Sequence, residues 1–240
     1  MSANANAVQG PDTIRSSTQE SASPAKRLDW AVNQWNPQDF AREQILSLVR
    51  RVFFANGDRS ARQVVFSAVE RNVDVVSICD QVARTLAQQT AEHVAVVDIE
   101  HGAEHGAREE TWIRPSFPKN ASIKSLSARI AVNLWHVPRG VTGEVNHGSG
   151  TGLNWPRLLE ELRNEFEFVV IEGPAAGISS EAALLGQLTD GIILVLDARS
   201  TRRAAARKAK ETLDAAQCRI LGTVLTQRMF PIPERIYRRL

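Results

Sequence analysis

The sequence has acidic residues at the ends of short apolar runs, and these are the first candidates for catalysis or metal binding. Asp98 follows the run Val94–Val97 and stands two positions before Glu100, while Glu172 directly follows the run Phe168–Ile171. Carboxylates at such strand ends can ligate Mg²⁺, or they can accept hydrogen bonds from the N–H groups of the turn that follows. The sequence leaves both interpretations open.

A third candidate is the connection Ser67–Ser77, which joins an apolar run at 64–66 to a predicted helix. In open parallel sheets, ligands bind beyond the carboxyl ends of the strands, and this connection shares that edge with Asp98 and Glu172. The sequence therefore places its candidate features at one edge of the predicted sheet.

A histidine pair is the remaining candidate for metal chemistry. His101 and His105 have the i, i+4 spacing of two ligands on one helix face. Gly102 and the lack of an apolar helical pattern around them argue against a helix here. We therefore predict no metal site at this pair.

The elements that must position these residues follow from hydrophobic periodicity. A first amphipathic helix begins at Asn36-Pro37 and ends near Asn56-Gly57, and short apolar runs then alternate with helical stretches. Strands are predicted at 64–66, 94–97, 134–137, 168–171, 192–196 and 220–225. Helices are predicted at 76–90, 155–165, 179–189, 201–216 and 232–239. The alternation predicts an α/β fold with a doubly wound, mostly parallel sheet flanked by helices.

Composition is that of a globular chain with a polar tail. Of the 240 residues, 43% are hydrophobic, enough to bury a substantial core. Residues 1–28 are rich in Ser, Ala, Asn and Gln and are predicted to be disordered, whereas 36–240 are predicted to form one domain. Cys79 and Cys218 lack CxxC spacing and are expected to be buried and reduced. No signal peptide or membrane span is apparent, so we expect a cytoplasmic protein.

The motifs quoted above fit a known arrangement. Asp98-Ile99-Glu100 follows the second predicted strand, and Glu172-Gly173-Pro174-Ala175 follows a later one. The C-terminal half adds Asp190–Val195, Leu221–Leu225 and Phe230–Tyr237. Together these stretches resemble the cytoplasmic domain of the bacterial capsular and exopolysaccharide tyrosine autokinases, relatives of the Min and Par ATPases. The resemblance covers about residues 40–240 and implies a P-loop NTPase-like three-layer sandwich.

The same resemblance indicates an altered phosphate loop. The family's GxxxxGK[ST] loop aligns Asn72 and Asp74 with glycines, Val75 with the lysine and Val76 with the metal-binding hydroxyl, while Ser77 offers a hydroxyl one position later. Glycines let backbone N–H groups close on phosphate, and the lysine neutralises the terminal phosphates. Valine in place of lysine, with a carboxylate added at Asp74, predicts little or no ATP binding. The connection is then a degenerate phosphate loop kept for its strand and helix, or a loop for a different ligand.

Further positions depart from the family pattern. Glu172 stands where the family has an aspartate that holds Mg²⁺ through water. The C-terminal tyrosine cluster is missing, since Tyr237 is the only tyrosine, and the oligomerisation motif of the first helix is not clearly kept in 43–50. Asp98, Glu100 and Glu172 are therefore candidate remnants of a catalytic site.

The resemblance and the departures together predict a catalytically impaired, kinase-like regulator or adaptor of exopolysaccharide or capsular polysaccharide biosynthesis and export. Its expected partner is a membrane-embedded chain-length or export protein, and no cofactor is expected. The alternative is an active protein-tyrosine autokinase or ATPase that uses ATP and Mg²⁺.

A basic run precedes and enters the helix predicted at 201–216. Arg202, Arg203 and Arg207 could form a solvated helix face, or they could dock on an acidic partner or an anionic membrane surface. Docking predicts an association that weakens with salt. The formal net charge of +2 does not indicate nucleic acid binding.

Overall fold

A seven-stranded sheet organises the described part of the chain. The computed structural model describes residues 37–55, 60–99, 121–139, 141–142 and 155–227. The strands are β1 (Gln63–Ala68), β2 (Val94–Asp98), β3 (Ala128–Ala131), β4 (Leu134–Val137), β5 (Phe168–Gly173), β6 (Gly191–Asp197) and β7 (Ile220–Thr226). Their order is β3-β4-β2-β5-β1-β6-β7, and each neighbouring pair is parallel except β3 with β4. The predicted mostly parallel sheet is confirmed.

Helices follow most of the strands. They are α1 (Pro37–Phe53), α2 (Val75–Gln89), α3 (Ile123–Leu126), α4 (Trp155–Glu165), α5 (Ser180–Leu188) and α6 (Arg203–Ala215). Proline at the first position of α1 agrees with the predicted start of that helix, because the missing N–H is not needed there. The tail at 1–28 and the helix at 232–239, both predicted from sequence, lie outside the described residues.

The sheet is covered on both faces, as its continuous apolar strands predict. One buried cluster joins Val65 of β1 to side chains of α4, α5 and α6, such as Leu158 and Leu213. The other joins Val64 and Phe66 of the same strand to side chains of α1 and α2. Alternate residues of one strand thus enter opposite cores, which gives the three-layer, doubly wound arrangement.

Asp190 fixes the amino end of β1. Its carboxylate accepts hydrogen bonds from the backbone N–H groups of Arg62 at 2.7 Å and Gln63 at 2.8 Å, and Arg163 approaches it at 3.4 Å. The buried amide of Gln63 donates in turn to the carbonyl of Leu159 at 2.8 Å. These hydrogen bonds satisfy the polar groups at the amino end of β1. They therefore help to hold in place the strand whose carboxyl end lies at the candidate site.

Within the described ranges, no helix is both long enough and apolar enough to cross a bilayer.

Candidate functional site

The candidate site lies at the carboxyl ends of β1, β2 and β5, which are adjacent in the sheet. The parallel register places Asp98 of β2 beside Glu172 of β5, and Glu172 beside Phe66 of β1. Glu172 is 7% exposed, whereas Asp98 is half-buried. The structure therefore brings together two of the predicted carboxylates, while Glu100 and the His101 and His105 pair lie outside the described residues.

Hydrogen bonds within the protein hold the start of the Ser67–Ser77 connection. The buried Ser67 hydroxyl donates to the carbonyl of Pro174 at 2.6 Å. The Val69 N–H donates to the carbonyl of Val195 at 3.2 Å, and the Ala176 N–H donates to the carbonyl of Ala68 at 2.8 Å. The connection after β1 is thus hydrogen-bonded to the connection after β5, and it is also hydrogen-bonded to β6.

Apolar side chains occupy the next part of the connection. Val73 is 5% exposed and Val75 is 3% exposed, and both belong to the buried cluster that also contains Ala68, Ala175 and Val195. Val75, which the resemblance predicts to stand at the family's lysine, therefore packs into the core. Val76, predicted to stand at the metal-binding hydroxyl, is instead 57% exposed at the start of α2.

Asp74 caps the N-terminus of α2. Its backbone is extended, with φ −74° and ψ 90°, and its carboxylate accepts a hydrogen bond from the Ser77 N–H at 3.0 Å. This is the usual geometry of an aspartate N-cap, which satisfies one of the N–H groups that a helix leaves unpaired. Among the described residues other than glycine, only Gln217 and Gln227 have positive φ, so Asn72 and Asp74 do not adopt a glycine-like conformation.

Cys79 lies one turn into α2. It is fully buried, and burial raises the pKa of its thiol well above the ordinary value of 9.0, with further increases from the negative charges of Glu172, Asp74 and Asp98. The three carboxylates therefore act on one buried point from the connection, β2 and β5. Burial of both cysteines, predicted from sequence, is confirmed.

No group of three or more His, Cys, Asp or Glu side chains in the described ranges could hold a metal ion. Asp98 and Glu172 both have interactions within the protein. Thr142, which the sequence did not single out, lies behind Asp98, and its hydroxyl donates to the Asp98 carbonyl at 3.2 Å. No periodic signal marks Thr142, because it lies in the irregular stretch between 101 and 154.

The basic run lies at the same edge of the sheet, beyond β6. Asp197 ends β6 and accepts hydrogen bonds from the Arg199 N–H at 2.7 Å and the Ser200 hydroxyl at 2.8 Å, and these bonds lower the pKa of its carboxyl group. Arg202 then occupies the N-cap position of α6 without a side-chain capping bond. Arg203 and Arg207 follow on the exposed side of that helix.

Known proteins are similar to this chain in sequence. No protein-family model matches the chain. Tyrosine-protein kinase CpsD of Streptococcus agalactiae is 31% identical over 71 residues, which cover 30% of this chain and 31% of that protein. Tyrosine-protein kinase YwqD of Bacillus subtilis is 22% identical over 196 residues, which cover 79% of this chain and 82% of that protein. The match thus spans about a third of the length of CpsD.

A solved structure has the same fold as this chain. The crystal structure of the VpsO kinase domain superposes with a TM-score of 0.59 at 19% identity, and the match covers 80% of this chain and 98% of that one. The likeness extends over the sheet and its helices, and at this identity it concerns the fold alone. The chain is therefore a homologue of the tyrosine-protein kinases CpsD and YwqD, whose family its sequence resembles, and it has the fold of the VpsO kinase domain.

Proposed function

We propose that this protein is a kinase-like regulator or adaptor of capsular or exopolysaccharide biosynthesis and export that does not use ATP. The pathway is supported by its homology to CpsD and YwqD, which are tyrosine-protein kinases. The loss of catalysis is supported by the connection between β1 and α2, whose side chains form bonds and apolar contacts within the protein.

The observation that carries the proposal is the carboxylate of Asp74 at the N-terminus of α2. The N-terminus of a helix attracts anions because its N–H groups are unpaired and its dipole is positive there. Asp74 supplies that anion from the chain itself, at 3.0 Å from the Ser77 N–H. A triphosphate would have to displace this carboxylate or approach it, and either costs free energy.

Val75 removes the other requirement for phosphate binding. A lysine at this position would bring a cation to the terminal phosphates. Valine brings none, and its burial at 3% exposure with Val73 fills the base of the connection with apolar side chains. The residues present at the strand ends therefore do not fit a Mg²⁺–nucleotide complex, and we assign no catalytic step to them.

The pathway also suggests where the protein acts. We place it at the cytoplasmic face of the membrane, bound to a membrane-embedded chain-length or export protein of the polysaccharide machinery. In this role the protein would act as a scaffold. It would regulate its partner by binding to it, and it would transfer no phosphate.

An active autokinase is the second candidate, and one observation favours it. Asp98 and Glu172 remain side by side in the sheet register, at the strand ends where the family holds its metal. An enzyme that used them would need Mg²⁺ and would need its triphosphate to bind without the lysine.

Isothermal titration of the full chain with ATP and Mg²⁺ separates the two candidates. We expect no heat of binding up to millimolar nucleotide, and no incorporation of phosphate into the protein under the same conditions. An active kinase domain of the matched group, titrated in the same buffer, shows that the assay detects binding. Micromolar affinity for ATP would refute the proposal and favour the autokinase.

A further inference from the structure

Four exposed arginines lie within nine residues of the chain, 199–207, where β6 leads into α6, and together they present a cationic surface. We call this surface the α6 cationic face, and it consists of Arg199, Arg202, Arg203 and Arg207. All four side chains are exposed, and none forms an ion pair with another described residue. Like charges concentrated in this way repel one another, so the face lowers its electrostatic energy when an anionic partner approaches.

The local structure makes this charge unfavourable within the protein itself. Arg202 and Arg203 stand at the N-terminal end of α6, where the helix dipole is already positive, and the first turn contains no acidic residue. Asp197 is the nearest carboxylate along the chain, and it is bonded to the Arg199 N–H and the Ser200 hydroxyl. Two acidic residues lie further along α6: Asp214 pairs with Lys210, and Glu211, one turn after Arg207, forms no ion pair with it in the described structure.

The exposed residues of the same helix are mostly polar or charged. Its buried residues, Ala209 and Leu213, face the core shared with α4 and α5. A protein–protein interface depends on a desolvated core from which charged residues are depleted. An anionic bilayer surface requires no such core, since basic side chains bind it by Coulomb attraction within about a Debye length.

We infer that the α6 cationic face binds the phosphate headgroups of anionic phospholipids. This inference rests on the proposed function, which places the protein at the inner face of the membrane. In the bound state the carboxyl edge of β6 and the N-terminus of α6 face the lipid. Docking of the face on an acidic protein segment is the competing outcome.

Co-sedimentation of the full chain with vesicles tests the inference. We expect binding to vesicles made of about equal parts phosphatidylcholine and phosphatidylglycerol, no binding to phosphatidylcholine alone, and release as salt is raised. The variant R203E/R207E should bind the mixed vesicles at least about tenfold more weakly, because each basic residue contributes separately to the attraction.

A matched control is available on the other side of the sheet. Arg50 and Arg51 lie exposed in the last turn of α1, and R50E/R51E changes the net charge by the same amount. This variant should bind the mixed vesicles nearly as the wild type does. Circular dichroism of both variants checks that each one folds.

Charge-conserving variants distinguish lipid from protein. R203K/R207K should retain vesicle binding, because diffuse attraction depends on charge, whereas bidentate recognition of carboxylates needs the guanidinium fork. Equal binding to neutral vesicles, equal loss in R50E/R51E, or capture only by an acidic protein segment would overturn the inference. Detection of ATP binding by calorimetry would refute the proposed loss of catalysis and leave the vesicle result standing, so the two failures are distinguishable.

Discussion

At the scale of single residues, the most informative side chain is Asp74, which the resemblance predicts to stand at a glycine of the family's phosphate loop. Asp74 stabilises α2 by accepting the Ser77 N–H, and its negative charge lies at the positive end of the helix dipole. A residue unfavourable for phosphate binding is therefore favourable for folding. Stability and nucleotide binding place opposite demands on this one position.

The cap can be measured by removing it. Asp74→Ala should lower the free energy of unfolding by about 1 kcal/mol, since it leaves the Ser77 N–H without its side-chain acceptor. Urea denaturation followed by circular dichroism gives this value. Asp74→Asn is the control, because asparagine caps helices about as well as aspartate. An equal loss in both variants would show that the hydrogen bond is not what stabilises the helix.

The Cys79 thiol makes a pH-dependent contribution to stability. Burial, and then Glu172, Asp74 and Asp98, raise its pKa above the ordinary value of 9.0. Above that value the unfolded chain loses the thiol proton while the folded protein keeps it. Ionisation therefore stabilises the unfolded state relative to the folded one. The contribution of Cys79 to stability is therefore complete below pH 9.0 and falls as the pH rises further.

Comparison with Cys79→Ala isolates this effect. The variant should be less stable than the wild type at neutral pH, because it leaves a small cavity under the candidate site. Above pH 9.0 the difference should narrow by up to about 1.4 kcal/mol per pH unit, since alanine does not ionise. Urea denaturation of both proteins across this range measures the difference. A constant difference would mean that the thiol ionises equally in both states.

At the scale of elements, the close approach of the connections after β1 and β5 is what shapes the candidate site. Gly177 lies where an added Cβ would be 2.3 Å from the carbonyl oxygen of Val69. This contact explains why a side chain is missing at that position. The backbone bond between Ala176 and Ala68 holds the same two connections together.

Gly177→Ala should therefore separate these connections. We expect the free energy of unfolding to fall by about 1 to 3 kcal/mol, the usual cost of forcing extra volume into packed structure. Gly222→Ala in β7 is the matched control, because an added Cβ there meets no atom within 4 Å. That control should be neutral or slightly stabilising. Equal unfolding midpoints for the two variants in urea would contradict the close contact.

The sequence predicted the elements that carry a strong periodic signal and missed those without one. Every strand with a continuous apolar run was found, because such runs mark strands buried on both faces. β3 was missed because all four of its residues, Ala128–Ala131, are exposed and do not alternate. α3 was missed because a helix of four residues spans about one turn and shows no period.

The candidate site was predicted in position but not in detail. The strand ends alone place Asp98 beside Glu172, since parallel strands bring their carboxyl ends to one edge. The burial of Val75 was not predictable, because a valine in a connection carries no information about which side of the helix start faces the core. The bond from Ser67 to Pro174 joins residues 107 positions apart, and only the fold brings them together.

At the scale of the whole molecule, a seven-stranded sheet with both faces covered positions the candidate site, and several backbone groups at its carboxyl edge are hydrogen-bonded within the protein. The amino end is fixed by Asp190, and the carboxyl ends of β1, β5 and β6 are bonded through their connections. If the protein does not use a nucleotide, as proposed, it should be equally stable with and without one. Such a protein can act as a constant scaffold, whereas a nucleotide-dependent switch must change when its ligand leaves.

Thermal unfolding with and without ATP and Mg²⁺ tests this expectation on the full chain. A ligand at 100 times its dissociation constant adds about 2.7 kcal/mol to stability, which in a domain of this size raises Tm by about 5 to 10 °C. We expect no increase at millimolar nucleotide beyond that caused by sodium chloride of equal ionic strength, because Asp74 already occupies the helix N-terminus and Val75 brings no cation. An ATP-specific increase that is lost on chelation of Mg²⁺ would show that the strand-end carboxylates still hold a metal–nucleotide complex, and the chain would then be a switch.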